Sequence, residues 1–243
     1  MSDVADLAAF HTLGPDGVPA VVLGLQERYG TAQLVWRNEL GGLTFRLGDG
    51  PYLKWSPRPA APALDRERDA LGWLAGRHPV PALLDHGADD HAQWLLTAPL
   101  PGEHAVGDRW RARRSEAIAA IAVGLRAVHA LPVDVVPAHR AGESWAARTP
   151  TGLGPRPPLT DPVVVHGDAC APNTLVSGAG AWVGHVDLGD LGVGDRWADL
   201  AVASLSLDWN FGEGHQPELF RAYGIEPDPE RIRYYRALWE LES

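Results

Sequence analysis

Cysteine, methionine and lysine each occur once in this 243-residue chain: Cys170, Met1 and Lys54. A single cysteine excludes an intramolecular disulfide and any paired-thiolate zinc site. No apolar run reaches the ~18 residues that a membrane span needs. Basic charge is also short, with 21 Lys and Arg against 31 Asp and Glu and a formal net charge of −10. That balance argues against nucleic acid as a partner and suits a cationic one. The N-terminal Met1-Ser2-Asp3-Val4-Ala5-Asp6 is acidic where a secretory leader is basic, so the expectation is a cytoplasmic protein without a membrane partner. Hydrophobic residues make up 45% and charged residues 21%, a globular mix that rules out wholesale disorder. Gly (27) and Pro (21) are abundant but follow no period, which excludes collagen and predicts many turns.

The first hundred residues read as strands with one helix. Gln33-Leu34-Val35-Trp36-Arg37, the alternating Leu43-Thr44-Phe45-Arg46-Leu47, Tyr52-Leu53-Lys54-Trp55 and residues 91–98 have strand character, with Gly41-Gly42 and 48–51 as turns. Residues 57–62 form a proline-rich loop. A helix is predicted over 64–76, with Gly76 as its C-cap. Pro99-Leu100-Pro101-Gly102 breaks the pattern and marks a lobe boundary, giving domains 1–98 and 99–243. The second part is more helical. Ser115 is the expected N-cap of a helix ending near His129, with Ile118, Ile121, Leu125 and Val128 on its buried face. Six prolines and three glycines between 133 and 162 predict irregular loop. Val163-Val164-Val165 is a buried strand, 174–176 and 182–186 make a hairpin, and helices follow over 197–207, 217–223 and 229–241.

Chemistry concentrates in His166-Gly167-Asp168-Ala169-Cys170-Ala171-Pro172-Asn173, followed fourteen residues later by Asp187-Leu188-Gly189. One carboxylate sits on a loop after a strand, an amide lies five residues on, and a second carboxylate ends a hairpin that folds back. Phosphoryl transfer uses such parts: a carboxylate to orient and deprotonate the attacking hydroxyl, and an amide and a carboxylate to hold Mg2+ against the phosphates. A lone Asp in a Gly-rich loop is most often a turn former; the joint spacing outweighs that. Cys170 reads as a packing residue, and His166 as a brace for the loop. His104, His129 and His139 show no metal-ligand spacing.

The run 166–173, the tail Asp187-Leu-Gly-Asp-Leu-Gly-Val-Gly-Asp195-Arg-Trp-Ala-Asp199-Leu-Ala and the stretch 222–236 resemble the aminoglycoside phosphotransferase family, specifically its 3'-phosphotransferases. The resemblance extends from about Val35 onward. It implies an α+β, two-lobed protein-kinase-like fold, with a small antiparallel-sheet N-lobe and a larger, mainly helical C-lobe. It also implies transfer of the γ-phosphate of ATP (or GTP), with Mg2+, to a hydroxyl of an antibiotic such as kanamycin or neomycin, which confers resistance. On the matching positions Asp168 becomes the catalytic base, and Asn173 and Asp187 the Mg2+ ligands. Asp195 and Asp199 match positions that look structural, a cap and a loop anchor. Nothing in the resemblance requires an assembly larger than a monomer or weak dimer.

In the N-lobe the resemblance places the phosphate-binding cation at Lys54 and its acidic partner at Glu67. In a chain that otherwise uses arginine, a compact ammonium there favours function. Gly41 and Gly42 are read either as the loop over the phosphates or as a plain hairpin turn. Trp36 is read either as a base-stacking aromatic or as a core tryptophan. The Ala98 carbonyl and Leu100 N–H become backbone partners of the base; Pro99 between them has no N–H to donate. The substrate side departs from the family. Segment 131–161 is short and rich in Pro, Gly and Arg, while Asp190 and Leu205 stand where relatives often carry Arg. Asp161, Asp208, Glu240 and Glu242 are the candidates for an acidic acceptor pocket, against the alternative of solvated charge. Two other functions stay open: the same chemistry on a nucleoside or peptide antibiotic or a small metabolite, and a non-catalytic nucleotide-binding regulator.

Overall fold

The computed structural model describes residues 17–58, 64–137, 141–142, 144–150 and 152–242. The acidic N-terminal hexapeptide, most of the proline-rich loop 57–62 and His139 lie outside them. Two compact units emerge. One runs up to Gly72 and resumes over Pro81–Pro99; the other takes Trp73–Val80 and everything from Leu100.

The first unit is built on a five-stranded sheet of order β1-β2-β3-β5-β4, from β1 (Ala32–Arg37), β2 (Leu43–Leu47), β3 (Tyr52–Pro57), β4 (Leu83–Ala88) and β5 (Ala92–Thr97), with every neighbouring pair antiparallel. Strand β2 alternates strictly between buried and half-buried residues, the period-2 pattern read from its sequence. Its Phe45 and Leu47 join Leu53 and Leu96 in one apolar cluster with Val22. Val22 comes from a helix the sequence did not announce, α1 (Ala20–Tyr29). Val21, Val22 and Gly24 are weak helix formers, so tertiary packing decides that segment. Strand β4 was also missed. Its Asp85, His86 and Gly87 are poor strand residues, and pairing with β5 at the sheet edge imposes the conformation. Gly87 is required there, because a Cβ would lie 2.6 Å from the Trp94 ring. Helix α2 (Leu64–Leu74) matches expectation, and Gly76 after it takes φ +73°.

In the second unit, α3 (Asp108–Ala112) runs directly into α4 (Arg114–His129). The expected Ser115 cap is therefore corrected. The helix starts two residues earlier than that cap implies, at Arg114; Arg113 is its N-cap without a side-chain capping bond, and Ser115 lies within the first turn. Ile118, Ile121, Leu125 and Val128 are all buried, as the periodicity predicts. Helices α5 (Arg196–Phe211) and α6 (Gln216–Tyr223) pack on α4, and α7 (Pro229–Glu242) packs on α5. Short strands carry the loops: β6 (Glu103–His104), β8 (Thr174–Val176) and β9 (Trp182–His185) form one sheet of order β6-β8-β9. Strands β7 (Pro162–Val165) and β10 (Gly192–Asp195) form an antiparallel pair. Strand β10, Gly-Val-Gly-Asp, has little strand propensity and exists through its pairing with the buried valines of β7. Among the described residues no helix is long and apolar enough to cross a membrane.

Alanine in a helix interior is normally about 1 kcal/mol better than glycine. Gly124 of α4 inverts that rule, since a Cβ there would lie 2.6 Å from both His185 Nε2 and Trp182 Nε1. Gly124→Ala is expected to destabilise the protein by roughly 1–3 kcal/mol, the usual overpacking cost, measurable as a lower urea midpoint. A gain in stability would show that the rings have room to move.

Candidate active site

Strand β7 is buried and delivers its C-terminal end to His166-Gly167-Asp168. The buried Asp199 carboxylate in the first turn of α5 holds the loop. It accepts from the backbone N–H of His166 (2.7 Å) and of Gly167 (3.0 Å). His129 Nε2 reaches the same carboxylate at 2.9 Å, and His129 Nδ1 meets the Tyr223 hydroxyl at 2.8 Å. Burial alone would raise the Asp199 pKa, but the His129 hydrogen bond and charge and the contacts at His166 outweigh it and hold the carboxyl below its ordinary value. Asp195 caps α5 by accepting from Trp197 N–H at 3.1 Å.

Gly167 takes φ +86°, and a Cβ on it would lie 2.1 Å from the Asp190 carbonyl oxygen. The 166–173 loop and the Asp187–Asp190 turn therefore touch backbone to backbone, and only glycine permits it. A second tie is the hydrogen bond from Val186 N–H to Asn173 C=O, 3.0 Å. Asp187, next along, is the sole non-glycine residue with positive φ (58°) among the described residues. Such strain is tolerated where the surroundings over-determine it, often at functional sites. Asn173 sits in a 3-10 turn after Pro172. Ala171 N–H donates to Ser206 Oγ at 2.9 Å, and His104 Nδ1 lies 2.6 Å from Pro172 O. From there Asn173 Nδ2 donates to the Asp168 backbone carbonyl (3.0 Å) and to Asp168 Oδ2 (2.9 Å). Asp168 Oδ1 has no hydrogen-bond partner among the described residues.

Burial raises the Asp168 pKa, reinforced by the nearby Asp187 charge, against the pull of Cys170, His166 and Asn173. The Asp168 and Asp187 carboxylates thus act on one another, with the Asn173 amide bonded to the first, and a cation would relieve their mutual repulsion. The donors are hard oxygens, suited to Mg2+, which keeps waters and takes few protein ligands. Among the described residues no three His, Cys, Asp or Glu side chains gather into a group that could hold a metal ion. Burial, with the Asp168 charge, pushes the Cys170 thiol far up. A thiol held protonated is no nucleophile, and Cys170 packs against the core.

A pocket of about 130 Å³ opens beside Asp168, lined by Trp145, Gly167, Asp168, Asp190, Trp239 and Glu242. Of the four acidic acceptor candidates only Glu242 is in it, ion-paired with Arg148. Asp161 pairs with Arg196 at the start of α5 and lines a different pocket. Asp208 accepts from Gln216 Nε2 at 2.5 Å. Asp208 and Glu240 both act on the Arg236 charge, and Glu240 is exposed. The four do not gather, because helical spacing turns Glu240 and Glu242 of α7 away from each other. Trp145 and Trp239 were not identified from sequence. They lie in a proline-rich segment and a C-terminal helix, and no local signal marks them.

In the first unit, Lys54 on β3 reaches Glu67 of α2 through both carboxylate oxygens, at 2.7 and 2.8 Å. Gly41 (φ +84°) and Gly42 form the turn between β1 and β2. Their N–H groups bond to the Asn38 carbonyl and side-chain oxygens, respectively. Trp36 is exposed, not a core residue. Ala98 follows β5 and donates its N–H to Ala82; Leu100 is half-buried in the second unit.

Beneath the 166–173 loop His78 Nε2 and His185 Nδ1 lie 2.9 Å apart, and His166 stands edge-on to His185. Burial foremost, then the His166 charge, lowers the His78 pKa to about 4. Burial likewise lowers that of His185, with His166, His78 and His129 adding to it. An unfolded histidine gains its proton near pH 6.5, while His78 in the folded protein waits until about 4. Stability is therefore full above about 6.5 and falls as the pH drops through that window, by roughly 1.4 kcal/mol per pH unit per such histidine. Urea unfolding at pH 7.5 and 5 is expected to show this slope, and His78→Gln to flatten it; equal slopes would contradict it.

The model of the phosphotransferase enzyme family matches residues 37–151 and 145–235. An aminoglycoside 3'-phosphotransferase of Streptomyces fradiae is 32% identical over 83% of this chain and 91% of its own length. A streptomycin 3''-kinase of Streptomyces griseus is 32% identical over 91% and 95%. Among solved structures, an aminoglycoside phosphotransferase from Streptomyces rimosus in complex with ADP and streptomycin superposes with a TM-score of 0.72 and 26% identity, covering 98% of this chain and 99% of that one.

Proposed function

The chain belongs to the phosphotransferase enzyme family, and from that premise we propose that it transfers the γ-phosphate of ATP to a hydroxyl of an aminoglycoside antibiotic. That it is a phosphotransferase acting on an alcohol group, with a protein-kinase-like α+β fold, follows from its relatives. The finer reading rests on one observation: Asp168, Asn173 and Asp187 are tied around one contact between two loops. The Streptomyces rimosus relative carries ADP and streptomycin together, which supports a nucleotide donor and an aminoglycoside acceptor. GTP is the alternative donor.

Asp168 Oδ1 accepts the proton of the acceptor hydroxyl as its oxygen attacks phosphorus. Asn173, through its bond to Oδ2, fixes the rotation of that carboxylate. Asn173 and Asp187 would hold Mg2+, which when bound neutralises phosphate charge. Lys54, kept extended by Glu67, takes the phosphates electrostatically. In this reading residues 1–98 form the nucleotide-binding lobe, with Trp36, Gly41, Gly42 and the Ala98–Leu100 backbone nearest the nucleotide. Residues 99–243 carry the catalysis, in a monomer or weak dimer working in the cytoplasm. Because Gly41 and Gly42 spend their N–H groups within the turn, contact there would come mainly from Lys54.

Asp168→Ala is expected to lower turnover roughly 10²–10⁴-fold while nucleotide binding persists, measured by coupled ADP release across an aminoglycoside panel with ATP and GTP. Near-full activity would refute the assignment. Asp187→Ala is expected to abolish the Mg2+-dependent part of ATP binding in calorimetry; an unchanged metal dependence would remove Asp187 from the site.

A further inference from the structure

The pocket beside Asp168 is aromatic as well as acidic. Its volume of about 130 Å³ falls short of the ~300–1,000 Å³ of sites that enclose a whole drug-sized ligand. It has room for a single ring of an acceptor and leaves the remainder outside. The half-buried Trp239 of α7 lines it next to Asp168. Trp239 in turn packs against Trp209 of α5, with ring centroids 5.6 Å apart and planes at 40°. Trp209 is 55% exposed. Two indoles from two helices thus extend an aromatic surface from the catalytic aspartate to solvent. A large apolar side chain left open beside a catalytic pocket marks a place where a ligand is to lie.

We propose that Trp239 and Trp209 form a stacking platform for the acceptor: one ring enters the pocket on Trp239, and the next ring lies on Trp209 outside it. The C–H face of a six-membered polyol ring suits the indole face, and an ammonium substituent is attracted by the ring quadrupole. Glu242 at the pocket edge is already paired with Arg148, so the preference of the platform comes from the indole faces. The platform assigns specificity to two residues that make no chemical step, and it rests on the aminoglycoside reading above.

The test compares wild type, Trp209→Ala and Trp209→Phe in steady-state kinetics with ATP and the multi-ring acceptors kanamycin and streptomycin. Trp209 is largely exposed, so its removal leaves the fold intact, and matching thermal midpoints check this. For an acceptor that the wild type turns over, Trp209→Ala is expected to raise the acceptor KM roughly 3–10-fold, the worth of one aromatic contact. The larger share of the loss in kcat/KM falls in KM, the KM for ATP does not move, and Trp209→Phe recovers most of the effect. Trp239→Ala is expected to raise the acceptor KM further. An unchanged acceptor KM in Trp209→Ala, with wild-type turnover intact, overturns the platform alone. Absence of wild-type turnover with every aminoglycoside overturns the acceptor reading and the platform with it.

Discussion

A buried carboxylate that accepts from two consecutive backbone amides sets the geometry on which the rest of the second unit depends. Asp199 has no exposed side-chain surface and cannot be satisfied by water. It takes the N–H groups of His166 and Gly167, and His129 completes its shell. Left unpaired at that depth the charge would cost several kcal/mol. The loop is therefore drawn onto α5, and His129 at the end of α4 and Tyr223 at the end of α6 are drawn to the same point. Three helices and the 166–173 loop share one electrostatic anchor, so Asp168 sits on a rigid support although it lies in irregular backbone.

The second carboxylate reaches the site by a different force, steric fit. Gly167 leaves the gap into which the Asp190 carbonyl presses. The Val186–Asn173 hydrogen bond aligns the chain just before Asp187. These close approaches fix Asp187 in a left-handed conformation that an L-residue adopts only under such constraint. Two electron-rich loops so forced together favour a cation between them. The histidines under the loops stay neutral for the complementary reason, since burial beside one another disfavours protonation.

The first unit contributes the Lys54–Glu67 pair from a sheet that packs one face into an apolar cluster. Lys54 lies between Leu53, which points into the core, and the half-buried Trp55. Strand alternation places Lys54 and Leu53 on opposite faces, so core packing and the Glu67 contact do not compete. The turn at Gly41 and Gly42 closes on Asn38, which makes it a structural hairpin first, whatever else it carries.

Local chemistry was legible in the amino-acid sequence. The strands over 33–37 and 43–47, the buried face of α4, the hairpin before Asp187 and the spacing of Asp168, Asn173 and Asp187 depend on residues close in the chain, whose periodicity and turn chemistry carry the information. Helix α1 and strands β4 and β10 were not legible, because their own propensities are weak and their partners lie elsewhere in the chain. The pocket beside Asp168 was decided by tertiary structure alone. Trp145, Asp190, Trp239 and Glu242 meet Asp168 only after α7 packs on α5, whereas Asp161, Asp208 and Glu240 find arginine and glutamine partners outside it. Sequence spacing specifies which chemical groups a loop presents; which distant side chains close around them is set by helix packing, and no local pattern encodes that.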